Sequence, residues 1–86
     1  MPITSEQLRA AQRILASEDS VRSAATRIRE QLAPVKALVI DAFDMKAEKA
    51  VLQVDSRSMY LMRTDGHCWQ VTDDASEASA LVLTQA

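Results

Sequence analysis

The chain has 86 residues, one cysteine, one glycine and a formal charge of −2, enough for one thin core burying roughly 60–65% of the unfolded surface. That size excludes a two-domain enzyme with a cleft between its halves. The lone Cys68 excludes an internal disulfide framework and fits a reducing compartment, while the single glycine excludes glycine-rich phosphate loops. A hydrophobic share of 48% with 26% charged residues excludes wholesale disorder.

The first helix is predicted to start at Thr4-Ser5-Glu6-Gln7, which reads as a capping box with Thr4 as cap and Gln7 reaching back. Leu8, Ala11, Ile14 and Leu15 follow at helical spacing. A break at Ser17-Glu18-Asp19-Ser20 offers Asp19 or Ser20 as cap for a second helix. Its apolar stripe is Val21, Ala25, Ile28 and Leu32, with Arg22, Thr26, Arg29 and Glu30 off the stripe. Pro34 ends it, because the residue before a proline is pushed out of the helical region.

Beyond Pro34 the periodicity changes. Residues 35–43 are rich in β-branched side chains and apolar on both alternating faces, which predicts a strand inside a sheet. A polar loop over 44–49 and a short strand over 50–54 come next. Two extended runs, 58–64 and 67–72, flank Asp65-Gly66, the signature of a two-residue hairpin loop. That register sets Thr64 against His67, Met62 against Trp69 and Tyr60 against Val71, on the face with the larger apolar volume, taken as the core face. Arg63 with Cys68, Leu61 with Gln70 and Met59 with Thr72 share the other face. The tail opens on Asp73-Asp74 with Glu77 following, a helix-start pattern. Leu81-Val82-Leu83 then either ends that helix or returns as a fifth strand, and its composition leans to the strand.

The expected architecture is therefore one α+β domain over residues 1–86, helical over 4–33 and sheet-forming over 35–86. Two N-terminal helices pack on a four- or five-stranded, mostly antiparallel sheet, with a short helical turn near the C-terminus. The expected core holds Leu15, Val21, Ile28, Leu32, Val39, Tyr60, Met62, Trp69 and Val71. No apolar run approaches the roughly 18–20 residues that cross a bilayer, and the first residues lack a basic-then-apolar leader. A soluble cytoplasmic protein is expected.

Asp19-Ser20-Val21 leading to Arg27-Ile28-Arg29-Glu30, a proline, a β-run, Tyr60-Leu61-Met62, His67-Cys68, and Thr72-Asp73-Asp74 followed by Leu81-Val82-Leu83 make a pattern over most of the chain. It resembles a family of short bacterial proteins encoded near nitrogen-fixation genes. The resemblance implies an accessory role in that setting and brings no catalytic residues with it.

Candidate sites are few. His67-Cys68 is the one His/Cys pair, but adjacent strand residues point to opposite faces, which disfavours a nucleophile–base dyad. As metal ligands they supply two groups where zinc takes three or four from protein. Cys68 alone leaves a redox-sensing role open. Among the acidic residues Asp41 stands out, placed in an otherwise apolar run; the others fall at turns, where aspartate is favoured by its own backbone bonding. Arg22 and Arg29, seven apart with Thr26 between them, invite a helix-turn-helix reading. The acidic pI of about 5.2 and the missing turn glycine disfavour nucleic acid. Met59, Leu61 and Cys68 would leave an apolar patch on the sheet face away from the helices, which another subunit could cover. The function expected is a non-enzymatic binding or adaptor protein without a cofactor. It would act on another protein or on itself as a homodimer, through Arg22, Arg29, Met59, Leu61 and Cys68.

Overall fold

The computed structural model describes residues 3–64 and 68–86. Helix α1 (Ser5–Ser17) begins where the capping box predicts. Thr4 Oγ1 accepts from the Gln7 N–H at 3.1 Å, and Gln7 Oε1 accepts from the Thr4 N–H at 2.9 Å. Its buried stripe is Ala11, Ile14 and Leu15. Helix α2 (Val21–Gln31) starts at Ser20, whose Oγ accepts from the Ser23 N–H at 3.1 Å. Val21, Ala24, Ala25 and Ile28 are buried along it, and the two alanines let its backbone approach the sheet closely. The chain reverses at Leu32, whose carbonyl accepts from the Val35 N–H at 2.9 Å, and the Ala33–Pro34 peptide bond is cis.

Five strands follow: β1 (Lys36–Val39), β2 (Leu52–Val54), β3 (Arg57–Thr64), β4 (Trp69–Thr72) and β5 (Ala80–Gln85). The order is β1-β5-β3-β2, with β4 also on β3. Strand β3 is eight residues long, and two short strands share one side of it. Strand β2 pairs with its first half (Leu52↔Met59) and β4 with its second (Leu61↔Thr72). Strand β5 pairs antiparallel along the opposite side, from Arg57↔Gln85 to Met62↔Ala80. The last pair, β1 with β5, is parallel, in register from Lys36↔Ala80 to Val39↔Leu83. The sheet is thus mixed where a mostly antiparallel one was expected. Strands β1 and β5 are not joined by a hairpin: the chain leaves β1 and returns only after β2, β3 and β4.

Three further expectations need correction. The run 35–43 forms no interior strand: β1 spans four residues at the sheet's edge and pairs with β5 alone among the described strands. Asp41 ends it, its Oδ1 accepting the Phe43 N–H at 2.9 Å and capping a short 3-10 helix, Ala42–Met45, partly where a loop was expected. The tail forms no helical turn. Asp74 and Ala75 carbonyls accept from Glu77 and Ala78, closing a bonded turn, and the Ser79 N–H donates to the Met62 carbonyl, drawing the chain into β5. The hairpin register is displaced by two residues, with Met62 opposite Val71 and Thr64 opposite Trp69. The Thr64–His67 pair and the Asp65-Gly66 turn lie outside the described residues.

A two-residue displacement keeps each side chain on its face, so Tyr60, Met62 and Val71 do stand together. Their face is the one turned away from the helices. Met59, Leu61, Leu81 and Leu83 pack instead against Ile14, Leu15, Val21 and Ile28, and each such buried side chain contributes about 1.5–3 kcal/mol. Tyr60 and Val82 form a smaller cluster with Met45. The 3-10 helix covers them, and Tyr60 donates its hydroxyl to the Met45 carbonyl at 3.4 Å. Of the expected core, Leu15, Val21, Ile28 and Tyr60 are buried as read, and Leu32, Met62 and Val71 are partly buried. Val39 and Trp69 are exposed by 36% and 47%, against expectation, because β1 is an edge and β4 covers only the end of β3.

Candidate functional site

Met59 and Leu61 are 0% and 1% exposed beneath the helices, so the apolar face assigned to them is already covered and they offer no docking surface. Cys68 is exposed just before β4. Gln70, not Cys68, stands opposite Arg63 and accepts from its guanidinium at 2.7 Å. His67 lies outside the described residues, and with it the His67–Cys68 pairing. Among the described residues no three His, Cys, Asp or Glu side chains gather as a metal site would require. Asp41 acts as a helix cap. Asp74 is a turn residue whose carboxyl is held below its ordinary value by hydrogen bonds from the Ser76 hydroxyl and N–H. No helix among the described residues is long and apolar enough to cross a membrane.

Arg22 and Arg29 do come together with something. Strand β1 runs back along α2 after the Pro34 reversal, so two successive edge residues lie beside that helix's outer face. Arg22, Thr26, Arg29, Leu38 and Val39 line an open trough of about 520 Å³. Leu38 is 44% exposed. It shares its sheet face with Val82, whereas Val39 shares the helix-side face with Leu83. The trough thus wraps the edge of the sheet, with apolar surface on both faces and cations along the helix side.

Pairing in a parallel ladder alternates along the strand. The Ile40 N–H reaches inward to the Leu83 carbonyl at 3.1 Å; Ala37 and Val39 therefore turn their backbone groups to the outer edge. Arg29 confirms the geometry at Ala37, its Nε donating to that carbonyl at 2.8 Å. One guanidinium N–H is tied to the edge strand, which fixes where the remaining donors stand. Charge balance separates these two arginines from their neighbours. Arg27 is paired with Glu18 at 3.0 Å and Arg63 with Glu77 at 3.6 Å, while Arg22 and Arg29 make no ion pair among the described residues.

Sequence reasoning found the two arginines and missed Leu38 and Val39, which looked like interior strand. It also missed Arg57, whose Nη1 donates to the Leu15 and Glu18 carbonyls at 2.8 and 2.6 Å, and whose Nη2 reaches the Asp19 carbonyl at 2.8 Å. Arg57 ties β3 to the end of α1 across some forty residues of chain, and no local pattern announces it. Compared with family models, with curated proteins and with solved structures, the chain has no match, and its site is read from its own geometry.

Proposed function

We propose that the protein is a non-enzymatic binding module that docks another protein in the trough between α2 and β1. The observation that carries this reading is the side-by-side exposure of Arg22, Arg29, Leu38 and Val39 at a sheet edge. Apolar side chains there supply contact area, and arginines supply directed hydrogen bonds, the mixture favoured in protein interfaces. The reading needs no cofactor. The resemblance to proteins encoded beside nitrogen-fixation genes suggests an accessory partner in that system, in the cytoplasm. A nucleic-acid role would use the same arginines, but the acidic chain and the apolar neighbours favour protein.

The test is a photo-crosslinking side chain placed at Thr26 in the protein expressed in its own cells. A discrete crosslinked protein is expected, lost when Arg22 and Arg29 are both changed to glutamate and retained in Phe43→Ser, which alters an exposed residue outside the trough. A crosslink indifferent to the two arginines would overturn the reading.

A further inference from the structure

Resting on that reading, we infer that the partner enters the trough as an amphipathic helix carrying two carboxylates seven residues apart. Arg22, Thr26 and Arg29 form one stripe along α2, the two arginines about 10 Å apart along its axis. Neither arginine has an ion pair among the described residues. The nearby carboxylates of Glu18 and Glu30 line the adjoining hollow on α2, and Glu18 is held there by Arg27. Thr26 lies low between the arginines, its hydroxyl donating back to the Arg22 carbonyl at 3.1 Å. The stripe therefore dips at its middle, beside the exposed side chain of Val39, with Leu38 at the far rim.

The edge beside the trough selects a helix over a strand. Ala37 is 1% exposed with its carbonyl taken by Arg29, and the Val35 N–H is bonded to Leu32. An extended segment laid there would leave its own backbone groups without partners, which costs free energy for each one taken from water. A helix arrives with its backbone already paired and needs only side-chain contacts. Its first, fourth, fifth and eighth residues share a face. Carboxylates at the first and eighth lie about 10 Å apart, matching the arginines, and aliphatic residues between them drop toward Val39. Arg29 is held for this contact. With Nε on the Ala37 carbonyl, both Nη groups remain to meet a carboxylate through two parallel bonds. Helices α1 and α2 already form a layer on one face of the sheet, with α2 against β1 and β5. An added helix continues that layer and covers the open edge.

A second copy of this chain does not supply such a helix. Seven residues after Glu6 comes Arg13, and seven before Glu30 comes Ser23, so neither α1 nor α2 bears the carboxylate pair. Packing α2 against its own copy would set Arg22 and Arg29 against the same arginines, like charge against like.

The experiment measures fluorescence anisotropy of the full chain with a labelled, end-blocked fifteen-residue peptide built on alanine and glutamine. It carries glutamate at its fourth and eleventh positions and leucine at its seventh and eighth, and circular dichroism checks that it is helical. Three comparison probes are used: the glutamates moved to the opposite helix face, a proline placed at the ninth position to break the helix, and a single-stranded oligonucleotide. The designed peptide should bind about tenfold or more tighter than either peptide control. Arg22→Glu, which removes no bond to a backbone carbonyl, should weaken binding by about tenfold. Changing one of the two glutamates to lysine should restore it, and the one that does so gives the direction of the bound helix. Phe43→Ser should leave binding intact. Equal binding of the opposite-face peptide would show charge attraction without a fitted face and overturn the inference. So would equal binding of the proline peptide, tighter binding of the oligonucleotide, or self-association that Arg22→Glu abolishes. No peptide binding beside an arginine-dependent crosslink at Thr26 defeats the inference and leaves the docking reading standing. Loss of both defeats both.

Discussion

Strands β1 and β5 lie side by side, in register, with similar sequences: Ala37-Leu38-Val39 against Leu81-Val82-Leu83. Every residue of the second is buried, whereas Leu38 and Val39 of the first are exposed. Composition does not separate them; position does. Strand β5 has β1 on one side and β3 on the other, with the helices over one face and the 3-10 helix over Tyr60 and Val82 on the opposite face. Strand β1 has a single strand neighbour, and the helix beside it leaves Val39 partly bare. An apolar edge is an aggregation hazard that proteins blunt with charge, and here the charge is placed by Arg29 on the Ala37 carbonyl.

The largest expected effect tests the buried side of this contrast. Leu81→Ala should cost about 2–5 kcal/mol, a large part of the stability of a domain this small, read as a shift in the denaturant midpoint. Leu38→Ala should cost under about 0.5 kcal/mol, as exposed substitutions do. Comparable losses at the two positions would show that β1 is covered in solution, and the contrast would fail.

Arg57 and Arg29 both donate to backbone carbonyls, with different consequences. Arg57 donates to three carbonyls at the end of α1 and, through Nε, to Gln85 Oε1 at 3.2 Å. It meets the carbonyl end of a helix, where positive charge is favoured, and its geometry uses several guanidinium donors at once. Arg29 donates to one carbonyl. Arg57→Ala should therefore destabilise by about 2 kcal/mol. Arg57→Lys should restore little of it, since an ammonium cannot span the same acceptors. Arg29→Ala should cost about 1 kcal/mol, since it leaves the buried Ala37 carbonyl without this donor, and show its further effect in binding. A larger loss at Arg29 than at Arg57 would reverse the assignment of one to structure and the other to recognition.

What was legible in the sequence was what neighbours along the chain decide. Thr4 with Gln7, and Ser20 with Ser23, are contacts across three residues, and they fixed both helix starts. Side-chain parity in the hairpin was likewise local, so Met62 and Val71 were correctly placed together although their register was not. Which hairpin face meets the helices was not local. It follows from β5 pairing Leu81 and Leu83 with Leu61 and Met59, a contact made across some twenty residues. The same remoteness hid Arg57. For the site, Arg22 and Arg29 could be read from helical spacing, but their partners Leu38 and Val39 could not, because edge and interior strands share a composition when one face is covered by helices.

The smallest effect concerns the turns that lead out of β1 and into β5, each built on an aspartate accepting from the residue two further on. Asp41 accepts one bond, from the Phe43 N–H. Asp74 accepts two, from the Ser76 N–H at 2.9 Å and the Ser76 hydroxyl at 2.6 Å, and the hydroxyl is the larger cause of its lowered pKa. A carboxyl whose folded pKa is depressed favours the folded state above its unfolded pKa, and that contribution disappears as pH falls through the folded value. Ser76→Ala removes the hydroxyl bond and leaves the backbone one. The Asp74 pKa should then rise toward the ordinary aspartate value, measured by following its carboxyl carbon through an NMR titration, and acid unfolding should move slightly to higher pH. Because Asp74 is exposed, the shift in stability should stay far below that of Leu81→Ala. An unmoved Asp74 titration in Ser76→Ala would show that the backbone bond alone holds this turn, leaving the turn into β5 built like the one out of β1.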